Sequence, residues 1–174
     1  VKLAGNIGNP VLSLRNITKK TIFVIEASSY QLEYSKIFKS KFAAILNLSP
    51  DHIERHETLN KYVKSKFRLL KNQTNGGLAF LKKDDFLITK ELKRNKFQSK
   101  IIRVDTKKNN TLFKHINNIY FSTDTNKENL FFVLEILKEF KIKRNLLLKT
   151  IQKFKGFKFR QQIIFKRDNL TIIN

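Results

Sequence analysis

The chain has 174 residues, is 41% hydrophobic and lacks cysteine, which suffices for one domain with a sizeable core plus the edge of a second and excludes disulfides and thiolate metal sites. A formal net charge of +22 raises the question of an anionic partner. The excess is mainly Lys, is spread along the whole chain and accompanies abundant Asn, Ile and Phe, so it reads as compositional bias and no specific nucleic-acid partner is expected. No apolar run approaches the roughly 20 residues that span a bilayer, so a soluble, cytoplasmic monomer without membrane insertion is expected.

In chain order, residues 21–26 (Thr-Ile-Phe-Val-Ile-Glu) form a β-branched and aromatic run ending in a carboxylate and followed by Ala27 and Ser28, which predicts a buried strand. Residues 42–47 repeat the pattern and run into Leu48-Ser-Pro-Asp-His52. Between residues 59 and 70, Tyr62, Val63, Lys66, Phe67 and Leu70 fall on one side of a helix. Alternating strand and helix predict an α/β fold, a mainly parallel sheet flanked by helices, with ligands beyond the carboxyl ends of the strands.

Glu26 and His52 stand at those ends. Asn75-Gly-Gly77 signals a turn before a strand at 78–81, and 101–104 is a further strand. Asn109-Asn110 and Asn117-Asn118 mark turns around a hairpin, helices follow at 126–140 and 146–154, and Gly156 stops the second. The tail, 162–174, reads as two short strands around Arg167-Asp-Asn169. A boundary near Gly156 divides the chain into residues 1–156 and 157–174. The chain opens on Val1 and closes on apolar-rich sequence, as a piece cut at both ends would.

Read on their residues alone, the polar positions keep bland alternatives. Glu26 is either a metal ligand or a solvated loop carboxylate, since hard cations prefer carboxylate oxygen. His52 is a general base or a hydrogen-bonding structural histidine. Lys66 is a snorkelling surface lysine or, if buried, one driven towards its neutral form. Asn6 lies in a turn beside glycine, where the backbone can approach a ligand closely.

Four local patterns converge on one family. Gly5-Asn-Ile-Gly-Asn-Pro10, Ile25-Glu-Ala-Ser-Ser-Tyr-Gln-Leu-Glu33, Ile45-Leu-Asn-Leu-Ser-Pro-Asp-His-Ile-Glu-Arg-His56 and Tyr62-Val-Lys-Ser-Lys-Phe-Arg68 resemble, in the same order, segments of the Mur ligases. The chain resembles their central, P-loop-ATPase-like domain, incomplete at its N-terminal end, with residues 157–174 as the start of the Rossmann-like C-terminal domain. The Gln31-Leu32-Glu33 ending is most similar to the branch that adds D-glutamate.

That resemblance implies an ATP-dependent acid–amino-acid ligase of peptidoglycan synthesis with UDP-N-acetylmuramoyl-L-alanine and D-glutamate as substrates, and ATP and Mg2+ as cofactors. It makes Glu26, His52 and Lys66 the metal side, with His52 and Lys66 catalytic and Lys66 carbamylated. It gives Asn6, Ser28 and Gln31 substrate contacts, His56 a supporting role, and Asp51 the task of holding the loop.

Thr125-Asn-Lys-Glu-Asn129 resembles a nucleotide-contacting segment, with Asn126 either a nucleotide contact or an N-cap, and Asn129 a nucleotide contact. Lys155-Gly-Phe-Lys-Phe-Arg160 resembles a segment whose arginine, here Arg160, meets ATP phosphates. No Gly-x-x-Gly-Lys-[Ser/Thr] loop occurs, so this stretch alone is expected to be inactive. The competing readings are another Mur-type ligase with a different amino acid and a basic, non-catalytic nucleic-acid-binding protein.

Overall fold

A computed structural model describes residues 1–108, 111–157 and 163–173. Strands β3 (Phe42–Ile45), β4 (Leu78–Lys82) and β5 (Lys100–Val104) form a parallel sheet in that order. Parallel strands need crossovers of a dozen or more residues, and helices fill them. Helices α2 (Ile53–His56) and α3 (Leu59–Lys71) link β3 to β4, and α4 (Phe86–Arg94) links β4 to β5.

The two-residue alternation of the strands then divides the core. Ala43, Ile45, Ala79 and Leu81 pack with Tyr62, Val63, Phe67 and Leu70 of α3 and Ile88 of α4. On the other face Phe80 and Val104 pack with Phe132 of α5 (Asp124–Lys138). Both faces are covered, which is why these strands are apolar almost throughout.

One side chain ties this layer together at its amino edge. Gln73, just past α3 and 2% exposed, donates from Nε2 to the carbonyls of Ser40 at 3.0 Å, Lys41 at 3.3 Å and Leu78 at 3.2 Å. The helix end, the start of β3 and the start of β4 are thereby fixed together.

A second, two-stranded parallel sheet pairs β1 (Lys2–Gly5) with β2 (Phe23–Glu26). Its register sets Gly5 opposite Glu26. Between the outer edge of β2 and the outer edge of β3 runs a groove of about 780 Å³, lined by residues 22–27 and 42–47, by Lys66 and Leu69 of α3, and by Ile136, Leu137 and Phe140 of α5 and the turn after it.

The α/β architecture therefore matches expectation, but several elements differ from the sequence reading: β2, expected to be a buried strand, is largely exposed, and α2 stands in what was expected to be a polar loop. No strand forms around Asn117-Asn118. Instead 3-10 turns run from Thr111–His115 and Ile119–Ser122, because the Asn118 side chain donates to the carbonyls of Ile151 at 2.7 Å and Phe154 at 2.8 Å, well away in sequence. Asn109 and Asn110 lie outside the described residues. The short helix α1 (Ser29–Tyr34) lies between β2 and β3, where a helical pattern is expected, whereas strand β1 and α4 have no counterpart in the sequence reading.

Helix α6 (Arg144–Lys153) stands where a helix was expected. Gly156 follows it at φ +74°, with the Tyr120 ring so close that a Cβ would lie 2.4 Å from it. The tail forms an antiparallel hairpin of β6 (Ile163–Arg167) and β7 (Leu170–Ile173), as the sequence predicts. Among the described residues no helix is long and apolar enough to cross a membrane.

Candidate functional site at the carboxyl edge

The carboxyl ends of β1 and β2 meet tightly. Gly5 takes φ +114°, and a Cβ there would lie 2.2 Å from the Glu26 carbonyl oxygen, so only glycine fits. The next amide, of Asn6, donates to that same carbonyl at 2.8 Å. Asn6 and Glu26 are thus brought side by side, both exposed. Among the described residues no ion pair and no side-chain hydrogen bond engages the Glu26 carboxylate, which lines the end of the groove.

Immediately beyond, α1 opens with a capping box. Ser28 Oγ accepts from the Gln31 amide at 3.3 Å, and Gln31 Oε1 accepts from the Ser28 amide at 3.0 Å. The box uses acceptor atoms only. The Ser28 hydroxyl proton and the Gln31 side-chain NH2 remain as donors for an oxygen-rich ligand.

His52 precedes α2 in the left-handed conformation, φ 53°, where its carbonyl accepts from the amides of Arg55 at 3.1 Å and His56 at 3.0 Å. Its ring lies 4.9 Å from that of Tyr30, with Asp51 Oδ2 3.4 Å and Glu54 Oε1 3.8 Å from its nitrogens. Partial desolvation raises the Tyr30 hydroxyl above its ordinary pKa, and the negative charges of Glu54 and Asp51 add to the shift against Arg55.

Lys66 is half-buried, not buried, at the margin of the apolar face of α3. Its Nζ lies 4.9 Å from the centre of the Tyr62 ring, a cation–π contact, and its side chain lines the same groove as Glu26. His52 does not line that groove. Among the described residues no three or more His, Asp or Glu side chains are arranged to hold a metal ion.

The donor chemistry fits a hard cation in part. Glu26 offers free carboxylate oxygen, whereas an ammonium at Lys66 is no ligand at all. Carbamylation would turn that cation into an oxygen donor.

Helix α5 starts at the carboxyl edge, where Glu128 pairs with Lys82 at the end of β4 at 2.7 Å, and runs back to the amino edge, where Phe140 just beyond it meets Phe42 with ring centres 5.5 Å apart. Asn126 and Asn129 are therefore at the carboxyl edge of the β3–β5 sheet. The N-cap is Thr123, however, so Asn126 is not the cap. It is 4% exposed and donates through Nδ2 to the Tyr120 carbonyl at 2.7 Å, which ties it to the preceding turn. Asn129 is exposed. Arg160 lies outside the described residues.

Asp85 is a site residue that the sequence reading missed. It caps α4 by accepting from the Ile88 amide at 3.0 Å, and its other oxygen accepts from the Leu48 amide at 2.8 Å, which binds the loop leading to His52 to the loop after β4. An Asp just before the apolar Phe86-Leu-Ile88 is an N-cap signal that could have found the first bond.

Residues 4–149 match the Mur ligase middle domain. The chain belongs to that family. It is 31% identical over 99% of its length to a UDP-N-acetylmuramoylalanine--D-glutamate ligase of Clostridioides difficile, and 28% identical over its whole length to one of Natranaerobius thermophilus. A shorter stretch, 49% of the chain, is 44% identical to the ligase of that name from Phenylobacterium zucineum. The chain spans 42% of the length of the first two relatives.

Among solved structures, a UDP-N-acetylmuramoyl-L-alanyl-D-glutamate--2,6-diaminopimelate ligase superposes with a TM-score of 0.58 at 22% identity, covering 83% of this chain and 35% of that one. The likeness supports the α/β fold of this Mur ligase domain.

Proposed function

We propose that the full-length protein is the ATP-dependent ligase that joins D-glutamate to UDP-N-acetylmuramoyl-L-alanine in peptidoglycan synthesis. The reading is supported first by the match to relatives named as D-glutamate ligases over essentially the whole chain. The observation that carries it structurally is an unengaged carboxylate, Glu26, sharing a groove with Lys66 at the carboxyl edge of a parallel sheet, the place where such sheets bind ligands.

In this reaction the γ-phosphoryl group of ATP passes to the substrate carboxylate, releasing ADP. The amine of D-glutamate then attacks the carbonyl carbon, the C–O bond to phosphate breaks, and the amide forms with loss of a proton. Mg2+ would neutralise crowded phosphate oxygens during the first step. Glu26 would hold it, with carbamylated Lys66 supplying further anionic oxygen and His52 oriented at the rim by Asp51 and Tyr30.

Ser28 and Gln31 would donate to substrate oxygens, Asn6 would contact the same ligand, and Asn129 and Arg160 would meet the nucleotide. The Gly-Lys-[Ser/Thr] loop would come from the rest of the full-length protein, so the 174 residues alone would not turn over. The same reading makes the protein a cytoplasmic enzyme.

The direct assay is ATP hydrolysis by the full-length protein that depends on both UDP-N-acetylmuramoyl-L-alanine and D-glutamate. Incorporation of a diamino acid instead would overturn the D-glutamate assignment and leave a different Mur-type ligase. Lys66→Ala should lower kcat by about 10²-fold or more, with partial rescue by short carboxylic acids. Absence of rescue would argue against the carbamate.

A further inference from the structure

Two residues of the sequence motifs touch neither substrate nor metal in the reading above: Glu33, which ends the Gln-Leu-Glu segment, and His56, which ends the Asp-His-Ile-Glu-Arg-His segment and for which the resemblance implies a supporting role of unstated kind. The fold brings them together with Ser29. Residues four apart on a helix stand one above the other on one face, so Ser29 and Glu33 present their side chains as a pair. The His56 imidazole lies against both.

Its Nε2 is 3.0 Å from Ser29 Oγ, and its Nδ1 is 3.8 Å from Glu33 Oε2. The ring stacks on Tyr30 at 5.5 Å and meets Tyr62 edge-on at 5.6 Å.

The order Ser–His–Glu is that of a hydrolytic triad, but burial rules out that role. Ser29 and His56 are each 3% exposed, so no substrate reaches the hydroxyl. What remains is orientation.

The proton positions follow from donor capacity. A carboxylate only accepts, and Glu33 Oε2 is buried without a hydrogen-bond partner, 3.8 Å from both the Arg55 guanidinium and His56 Nδ1. The proton therefore belongs on Nδ1, facing Glu33. Nε2 then accepts from the Ser29 hydroxyl.

The far end of α1 has its own anchors. Arg68 donates to the Glu33 carbonyl and Asn72 to the Ser35 carbonyl, the latter at 3.0 Å, so α3 satisfies the open carbonyls of the helix. The first turn of α1, which follows Ser28 and carries Gln31, is where Ser29 meets His56. His56 also ends α2, the helix that His52 begins.

We infer that His56 is a positioning residue: with Nδ1–H facing Glu33 and Nε2 against the Ser29 hydroxyl it clamps the two, and so sets the Ser28 and Gln31 donors relative to His52. The assignment of those donors to the UDP-sugar substrate rests on the reading under Proposed function. The clamp itself does not.

The test uses the full-length protein with 15N-labelled histidine. Long-range 1H–15N spectra should show His56 protonated at Nδ1 and bare at Nε2, with the Nε2 resonance moved in Ser29→Ala. His56→Phe keeps the ring contacts and removes both nitrogens. It should raise KM for UDP-N-acetylmuramoyl-L-alanine about tenfold while KM for ATP and kcat stay within about twofold, and Ser29→Ala should add little on top of it. A proton on Nε2, or substrate and ATP constants that move together or not at all, would overturn the proposal. Should the wild type not use that substrate, the reading under Proposed function fails. Additive Tm losses of the two variants would then sink the clamp, and non-additive losses would uphold it.

Discussion

The two parallel sheets of this molecule are built from similar sequence yet live in different surroundings. In β4 the three central residues are buried and both faces are covered by helices, whereas Phe23, Val24 and Glu26 of β2 are exposed. Apolar content alone therefore does not tell which strand carries stability. The difference is whether a helix packs on the strand: α3, α4 and α5 embrace β3–β5, and no comparable layer covers β1–β2 among the described residues.

The largest expected effect tests that contrast directly. Phe67→Ala, at a position 0% exposed, should cost about 3–5 kcal/mol in denaturant unfolding, against about 0.5 kcal/mol for Phe23→Ala at 39% exposed. Equal costs would mean that the β1–β2 half is as well packed as the other.

A smaller, local effect is expected from Gly5→Ala. The added Cβ meets the Glu26 carbonyl at 2.2 Å, so β1 must move off β2, at about 1–3 kcal/mol for the strained backbone. Hydrogen exchange should speed up in residues 2–5 and 23–26 and stay unchanged in β4. Loosening of both halves together would show them to be one cooperative unit.

The smallest effect concerns the Lys83–Asp105 pair at the ends of β4 and β5, 2.8 Å apart. The hydrogen bond from Lys83 holds the Asp105 carboxyl below its ordinary pKa. Its contribution is therefore complete above the unfolded-state value near 3.9 and disappears as pH falls through the lowered folded-state value. Asp105→Asn should flatten the acid limb of the stability curve slightly and leave its shape elsewhere unaltered.

Much of the better-packed half was legible because its signals are local. The runs at 42–47, 78–81 and 101–104 and the helical spacing of Tyr62, Val63, Phe67 and Leu70 became β3, β4, β5 and α3. The candidate site was legible as motifs, and Asn6 and Glu26 do meet at one strand end. What stayed hidden depends on partners far away in sequence. Asn118 looked like a turn residue because its carbonyl partners lie 33 and 36 positions on, and His56 finds Ser29 27 positions back. Asn126 shows the opposite failure, since its local context suggested a cap while burial and the Tyr120 carbonyl gave it other work.

Among the described residues no strand pairs with the facing edges of β2 and β3, and such open edges invite one copy of a chain to pair with another. Lys19 and Lys20 sit just before β2, and Lys36, Lys39 and Lys41 just before β3. Cations flanking an apolar strand act as gatekeepers against such pairing. The lysine excess thus has a colloidal consequence: like charge on every copy keeps these open edges apart, through a repulsion that salt screens.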